Sequence, residues 1–450
     1  MSMSINQHFS PGKLLQFALP SIIMMMFLSL YTIVDGIFIS RFIGSNALSS
    51  LNIVFPVVCI VTAIGTMLAT GGNAIISKYL GQGKQEEARE CLTLFVVVGL
   101  LVSFVVLIVT QIFLTPICCF LGSNEVLLAD CEKYLSAVIL FAPSCMLQSL
   151  FQSYLVTAEK PGLGLLLTIG AGILNAFLDY MLIAVLGLGM TGAALATGVG
   201  QTVPALAGLL FFFFHKKGLH FVPFHFRPKE LLTACCNGSS EMVTQLANAI
   251  ITFLFNVVMM ELAGEHGVAA ITILLYGQFL FNAFYLGFTI GISPLIGFQY
   301  GAKNMRELKN IYKIAFCFTG ISSVILTAAA VFSANPLVTI FTHDPKTFAL
   351  ASAGFPLFAA NFLFSGLNIA SSGFFTALSN GKVSAIISFC RTLVFIAASL
   401  MILPHFLGIN GAWIAVPAAE FLTLILSASM HQKYFLKPGK RNYFEPMEPV

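Results

Sequence analysis

The chain has 450 residues, of which 9% are charged and 58% hydrophobic, and its mean hydropathy is +0.93. A soluble domain carries about 25% Asp, Glu, Lys and Arg, so this composition excludes an ordinary water-soluble enzyme and a disordered, fibrous or disulfide-scaffold chain. A net charge of +4 over this length is too thin for the basic face of a nucleic-acid binder, and the solvent to consider is a lipid bilayer.

A membrane helix needs roughly 20 apolar residues. Stretches without a charge run over 91–124, 180–215, 266–302, 314–343 and 347–381. Divided at Gly, Pro, Asn and polar clusters, the chain predicts twelve spans: 14–40, 48–77, 91–117, 132–157, 162–185, 191–214, 231–261, 267–299, 310–333, 348–378, 383–405 and 410–432. The expected fold is an all-α membrane protein with two parallel-repeat six-helix bundles around a central cavity. Its expected parts are an N-terminal lobe over 1–214, a linker over 215–230 and a C-terminal lobe over 231–450. The first apolar segment is too long for a cleavable signal peptide and reads as a retained span. With twelve spans both termini lie on one side. That side holds 18 of the 22 Lys and Arg residues, which predicts cytoplasmic termini and a place in the inner (plasma) membrane.

Taken in order, the spans carry few ionisable groups, and each is expensive. A charge at the bilayer centre costs at least about 2.5–3.5 kcal/mol. Span 1 holds Asp35 towards its outer end, after Met24-Met25-Met26. Span 4 holds Gln148 and Gln152. Span 5 holds Asn175 and Asp179, four apart and therefore on one helix face. Span 6 adds the Thr197 hydroxyl. Asp35, Asn175, Asp179 and Thr197 together form a candidate site for a small cation, because clustered oxygens bind Na⁺ and paired carboxyls take up a proton. In the second half, Glu241 lies in the first turns of span 7, followed by Asn256. Gln278 and Asn282 lie in span 8. Span 10 has no acid, only Asn368. Glu420 lies deep in span 12, with Arg391 of span 11 placed to neutralise it. Met24, Gln148, Gln152, Glu241, Asn256, Gln278, Asn282 and Glu420 are the candidates for contact with substrate. Soft Met and Phe side chains suit variable apolar ligands, although most of the 16 Met and 44 Phe read as core or lipid-facing filler.

The ten cysteines include the adjacent pairs Cys118–Cys119 and Cys235–Cys236 and no Cys-x-x-Cys. They read as small apolar fillers, and no metal site is expected other than Na⁺ at the first-lobe cluster. His215, His220 and His225 recur every five residues, a spacing that does not stack on a helix face, and read as loop residues.

The chain contains an internal repeat. At an offset of 220, Gly71 pairs with Gly291, Leu80-Gly81 with Tyr300-Gly301, and Glu87 with Glu307. At 219, Gly189-Met-Thr-Gly192-Ala193 pairs with Gly408-Ile-Asn-Gly411-Ala412, and Thr157-Ala158 with Thr376-Ala377. Six spans per unit is an even number, so the halves share one orientation, as in transporters whose site lies at a repeat interface. The paired glycines themselves read as close helix packing.

Val34-Asp35-Gly36-Ile37-Phe38-Ile39-Ser40-Arg41-Phe42-Ile43-Gly44, Leu80-Gly81-Gln82-Gly83-Lys84 and Asn175-x-x-x-Asp179, in this order on duplicated lobes, resemble the multidrug and toxic compound extrusion (MATE) family over nearly the whole chain. The resemblance implies a V-shaped pair of six-helix bundles that exports amphipathic, often cationic compounds in exchange for H⁺ or Na⁺. It implies a cation site at Asp35, Asn175, Asp179 and Thr197. Some relatives couple through acids in the seventh and tenth spans. The absence of an acid in span 10 argues for coupling in the first lobe here. The expectation is a monomeric antiporter for small molecules among membrane lipids, with no cofactor beyond the coupling ion. A lipid-linked precursor flippase of related architecture needs a strongly cationic cavity, and Arg391 alone is a poor match. An intramembrane enzyme needs a metal cluster or nucleophile–base pair within the spans, and none is visible.

Overall fold

The computed structural model describes residues 5–42, 45–123, 127–342, 344–436 and 442–444, with the backbone alone at 36–42, 45–49 and 52. Ile43-Gly44 of the first-span motif therefore lie outside the described residues, and the side chains of its Gly36–Phe42 stretch are not described. Among the described residues every regular element is a helix. The first half contains α1 (Pro11–Phe42), α2 (Ser45–Gly81), α3 (Gln85–Ile112), α4 (Leu114–Phe120), α5 (Leu128–Ile139), α6 (Ala142–Thr157), α7 (Pro161–Asp179) and α8 (Gly189–Phe214). The second half contains α9 (Pro228–Gly301), α10 (Met305–Phe332), α11 (Ala334–Phe341), α12 (Pro345–Ala359), α13 (Phe362–Ala377), α14 (Gly381–Phe389), α15 (Phe395–Leu407) and α16 (Ile409–His431). A single π-helical turn follows α7 at Tyr180–Val185 and another follows α14 at Cys390–Val394.

Four of the expected spans take a different form. Spans 4 and 10, read as continuous helices, are broken pairs: α5 meets α6 at 53° and α12 meets α13 at 52°. Pro143, in the first turn of α6, has no N–H to continue the helix before it. At the second break the Asn361 side chain donates to the Phe358 carbonyl at 2.6 Å and caps α12. Spans 7 and 8 join end to end as α9, 74 residues long and interrupted at Gly264 (φ 62°, ψ −153°), where glycine turns the chain without a loop. With α9 counted as two crossings and each bent pair as one, the chain crosses the membrane twelve times.

The repeat is visible in the backbone. Glu159 and Ser379, 220 residues apart, both take φ 60°, and Gly83 and Lys303, also 220 apart, take φ 77° and 54°. Since α6 and α13 both begin and end at that offset, Thr157 is equivalent to Ala377 rather than to Thr376, and the 219 pairing read from sequence is one residue out of register there. The 219 offset does hold later, where Gly189 and Gly408 share φ 54° and 56°.

One apolar cluster runs through the first half from Val54 to Ala234, and a second from Ile251 to Ala419. A third joins the halves, packing Ile5, Phe9, Leu14 and Phe17 against Phe288, Ile292, Leu308 and Phe374. The closest approaches between halves use glycine, because association in lipid depends on backbone proximity rather than hydrophobic transfer. A Cβ on Gly81 would lie 2.0 Å from the Phe298 carbonyl oxygen, and one on Gly301 2.1 Å from that of Lys78. Residues 81 and 301 are repeat partners, as are 78 and 298, so these two contacts are related by the pseudo-two-fold axis. Among the described residues, the hydrogen bonds and closest glycine contacts between halves engage first-half residues 5–22 and 67–93. These lie at the Lys- and Arg-rich end of the molecule.

Candidate functional site: a carboxylate pair in the first half

The sequence of α7 sets up the site. Gly164, Thr168, Ala171, Gly172, Asn175 and Asp179 are buried and fall on one helical stripe. Gly172 lets α1 come close, since a Cβ there would lie 2.5 Å from the Phe27 ring. Two turns further along these parallel helices, Asp35 of α1 reaches Asp179, and the two carboxyl groups share a hydrogen bond. Gly200 brings α8 in by the same means, with room for no more than a 3.1 Å approach to the Asn175 Cβ. Asp179 is the last residue of α7 and abuts the π-turn Tyr180–Val185, a backbone irregularity common at functional sites.

Asn175 and Thr197 line one narrow polar cavity with Tyr31, Gln148, Ala171, Gly200 and Gln201. Tyr31 is hydrogen-bonded to Gln148. Four buried polar atoms here have no partner: Asp35 Oδ1, Asn175 Nδ2, Asp179 Oδ1 and Thr197 Oγ1. Buried polar atoms are almost always paired, and an unpaired one costs about 1–3 kcal/mol. All four predicted residues thus carry an orphaned buried atom; Asn175 and Thr197 share the cavity, while Asp35 and Asp179 meet each other outside its lining. Two ionised carboxylates in contact repel, and a shared proton or a bound cation relieves that repulsion.

The sequence reading missed three residues. Tyr31 lies one turn before Asp35 and Gln201 one turn after Thr197, so helical spacing could have found both. Tyr134 of α5, buried and in the field of both carboxylates, gave no local signal, because only the tertiary fold brings α5 there.

The other candidates are dispersed. Gln148 belongs to the cavity and Gln152 lies one turn beyond it. Met24 is buried in the α1–α7 contact, 3.7 Å from where a Gly164 Cβ would stand. Asn256 and Asn282, on the two arms of α9, each carry an unpartnered buried oxygen; Gln278 lies one turn before Asn282. Glu241 and Glu420 gather instead around Arg391. Arg391 Nε contacts Glu420 Oε1 at 2.8 Å, with the two side chains 10% and 1% exposed. Asn368 Nδ2 donates to Glu420 Oε2 at 2.7 Å and to its carbonyl at 2.9 Å. Ser427 holds the other end of the Asn368 amide at 3.1 Å. Glu241 faces Arg391.

Fold and site together define a duplicated, multi-pass membrane protein with a carboxylate pair buried in one half. The MatE family model matches residues 20–181 and 242–401, once in each half, and the chain belongs to that family, the MATE transporters. It is 24% identical over 442 residues to the multidrug export protein MepA of Staphylococcus aureus (strain NCTC 8325 / PS 47), with 94% of this chain and 93% of that protein covered. Among solved structures it resembles a MATE crystallised with MaL6 at TM-score 0.90 and 21% identity, covering 95% of this chain and 96% of that one. The Vibrio cholerae MATE transporter VcmN matches at TM-score 0.88 and 22% identity, covering 97% and 98%. At such identities these two similarities establish the fold.

Proposed function

We propose that the chain exports amphipathic, often cationic small molecules across the plasma membrane in exchange for H⁺ or Na⁺, with both termini in the cytoplasm and one chain as the working unit. The observation that carries this reading is the Asp35–Asp179 pair with its unpartnered neighbours Asn175 and Thr197. Family membership and the likeness to MepA support the export half of the reading. The Lys and Arg distribution supports the orientation. With the basic end facing the cytoplasm and packed shut, the structure fits a state closed to the cytoplasm.

In this reading residues 1–214 and 231–450 are two lobes joined by the linker 215–230. Cation binding at Asp35 and Asp179 removes the cost of uncompensated buried charge. It drives a conformational change only as far as the cation prefers one lobe arrangement over the other. Release of the cation to the cytoplasm accompanies separation of the basic end and uptake of substrate. Arg391 is engaged by Glu420 and so is not available to bind a diphosphate, which disfavours a flippase.

Efflux from proteoliposomes under separately imposed pH and Na⁺ gradients tests the proposal. Transport should follow one gradient and fall at least tenfold in Asp35→Asn and Asp179→Asn. Full gradient-driven transport by both folded variants would refute it.

A further inference from the structure

The repeat allows the two halves to be compared at the site itself. Asn368 and Arg391 are equivalent to Gln148 and Ala171 at the offset of 220 that the backbone sets through Glu159/Ser379 and through the helix starts Pro161 and Gly381. Glu420 is equivalent to Gln201 at the later offset of 219. Gln148, Ala171 and Gln201 line the first-half cavity together with Asn175 and Thr197 of the proposed cation site, next to the Asp35–Asp179 pair on the same helices. The second-half triad therefore occupies the counterpart of that cavity. Where the first half has neutral side chains around a cavity the size of one water, the second has a carboxylate already paired with a cation of its own. Both Glu420 oxygens are engaged, one by Arg391 and one by Asn368.

We propose that the Arg391 guanidinium is a resident cation, which holds in the second half the place that an exchangeable cation takes in the first, so that each chain couples one cation per cycle. This inference rests on the cation-site reading of Asp35 and Asp179. Arginine suits the role because it does not give up its proton in proteins, and its planar fork matches a carboxylate. Among the described residues, Glu420 pairs with Arg391, which in turn faces Glu241. His431, three turns further along α16, is held by Ser371 and Tyr312. Arg391 is thus a residue that sets stoichiometry rather than one that touches the transported cation.

The test counts cations bound per purified full chain, by proton uptake at fixed pH and by binding of radioactive sodium in parallel. The unmodified chain should bind one, and Asp179→Asn none. In Arg391→Gln, Glu420 loses its partner and the count should rise to two, one of which should persist in Arg391→Gln/Asp179→Asn. Arg391→Lys, which keeps the charge, should stay at one. Glu420→Gln, with Arg391 intact, should also stay at one. A folded Arg391→Gln chain that still binds one cation overturns the inference. If Arg391→Gln does not fold, Glu420→Gln decides alone, and a fall from one to zero overturns it. A count abolished by both Asp179→Asn and Glu420→Gln sinks this inference while sparing the first-half reading. A count abolished only by Glu420→Gln sinks both.

Discussion

Asn73 donates a hydrogen bond to Ser293 across 3.3 Å of buried interface, and the two residues are 220 positions apart, the offset of the repeat. A residue can meet its own repeat partner only on the axis that relates the halves. One turn on, Gly297 is pressed against Ser77, again its partner at 220, so that a Cβ on Gly297 would lie 2.0 Å from the Ser77 hydroxyl. Helix α2 and the second arm of α9 thus cross on the pseudo-two-fold axis.

This symmetry makes the first prediction. A side chain at Gly81 or Gly301 would force the halves apart by at least about 1 Å. Gly81→Val and Gly301→Val should therefore act alike. Each should cut export at least tenfold, or about 1.4 kcal/mol in the barrier, and should expose cysteines introduced at the basic end to a membrane-impermeant thiol reagent. Strongly unequal effects would argue against a symmetric seal.

Around the Asp35–Asp179 pair the halves are not alike, and the residues proposed to bind the cation allow the two ions to be told apart. Na⁺ needs oxygen ligands, whereas a proton needs only the carboxyl pair. Thr197→Val should weaken Na⁺ binding at least tenfold if sodium is the coupling ion, and should leave the pH dependence of transport in place if the proton is. Binding isotherms for Na⁺ alongside pH-jump transport separate the two.

Removing one member of a buried ion pair strands the other. Arg391→Met should destabilise the chain by about 3–5 kcal/mol, seen as a large drop in thermal unfolding temperature in detergent. Arg391→Met/Glu420→Gln should recover most of that loss. A double variant as unstable as the single one would show that Arg391 acts through its packing.

The segment before α1 is strapped across the basic end. The Ile5 N–H donates to Glu159 Oε1 at 2.7 Å. The Phe9 N–H donates to Glu307 Oε1 at 2.9 Å, and the His8 ring meets Glu307 Oε2 at 2.7 Å. Asn310 closes the arrangement by donating to the Phe9 carbonyl at 2.8 Å. Glu307→Gln should loosen the strap, and trypsin cleavage at Lys13 should speed up several-fold. An unchanged cleavage rate would mean that the apolar contacts of Ile5 and Phe9 hold it alone.

At the opposite end Asp344 caps α12 by accepting the Thr347 N–H at 2.8 Å, which holds its carboxyl below the usual range. A depressed carboxyl stabilises the folded form above its unfolded value, about 3.9, and that contribution is lost as pH falls through the lower folded value. The protection of the Thr347 amide, its exchange measured against the intrinsic rate at each pH, should fall on acidification, and Asp344→Asn should remove that fall.

Membrane crossings, duplication and the carboxylate pair were legible in the sequence because lipid makes each of them costly to fake. An acid such as Asp179 does not persist in an apolar run by accident, and i, i+4 spacing ties Asn175 to it. What stayed hidden depended on tertiary geometry. Tyr134 reaches the site only because α5 is bent against α6, and the union of spans 7 and 8 turns on the single backbone angle of Gly264. The register at Thr157 misled because a local match of two residues outweighed the helix boundaries, which only the backbone reveals. The Arg391–Glu420 pair was suggested by charge alone, but its equivalence to the first-half cavity emerged only once Gln148, Ala171 and Gln201 were seen to share it.

The glycine-on-carbonyl contacts at Gly81 and Gly301 bear on how often the gate can cycle. At these two points backbone meets backbone, with no side-chain rotamer to unpick, while the ion pairs and apolar contacts of the seam lie around them. Parting these two contacts exposes backbone, and closing them again freezes almost no side-chain motion. A contact built this way is tight when shut yet costs little side-chain entropy to remake.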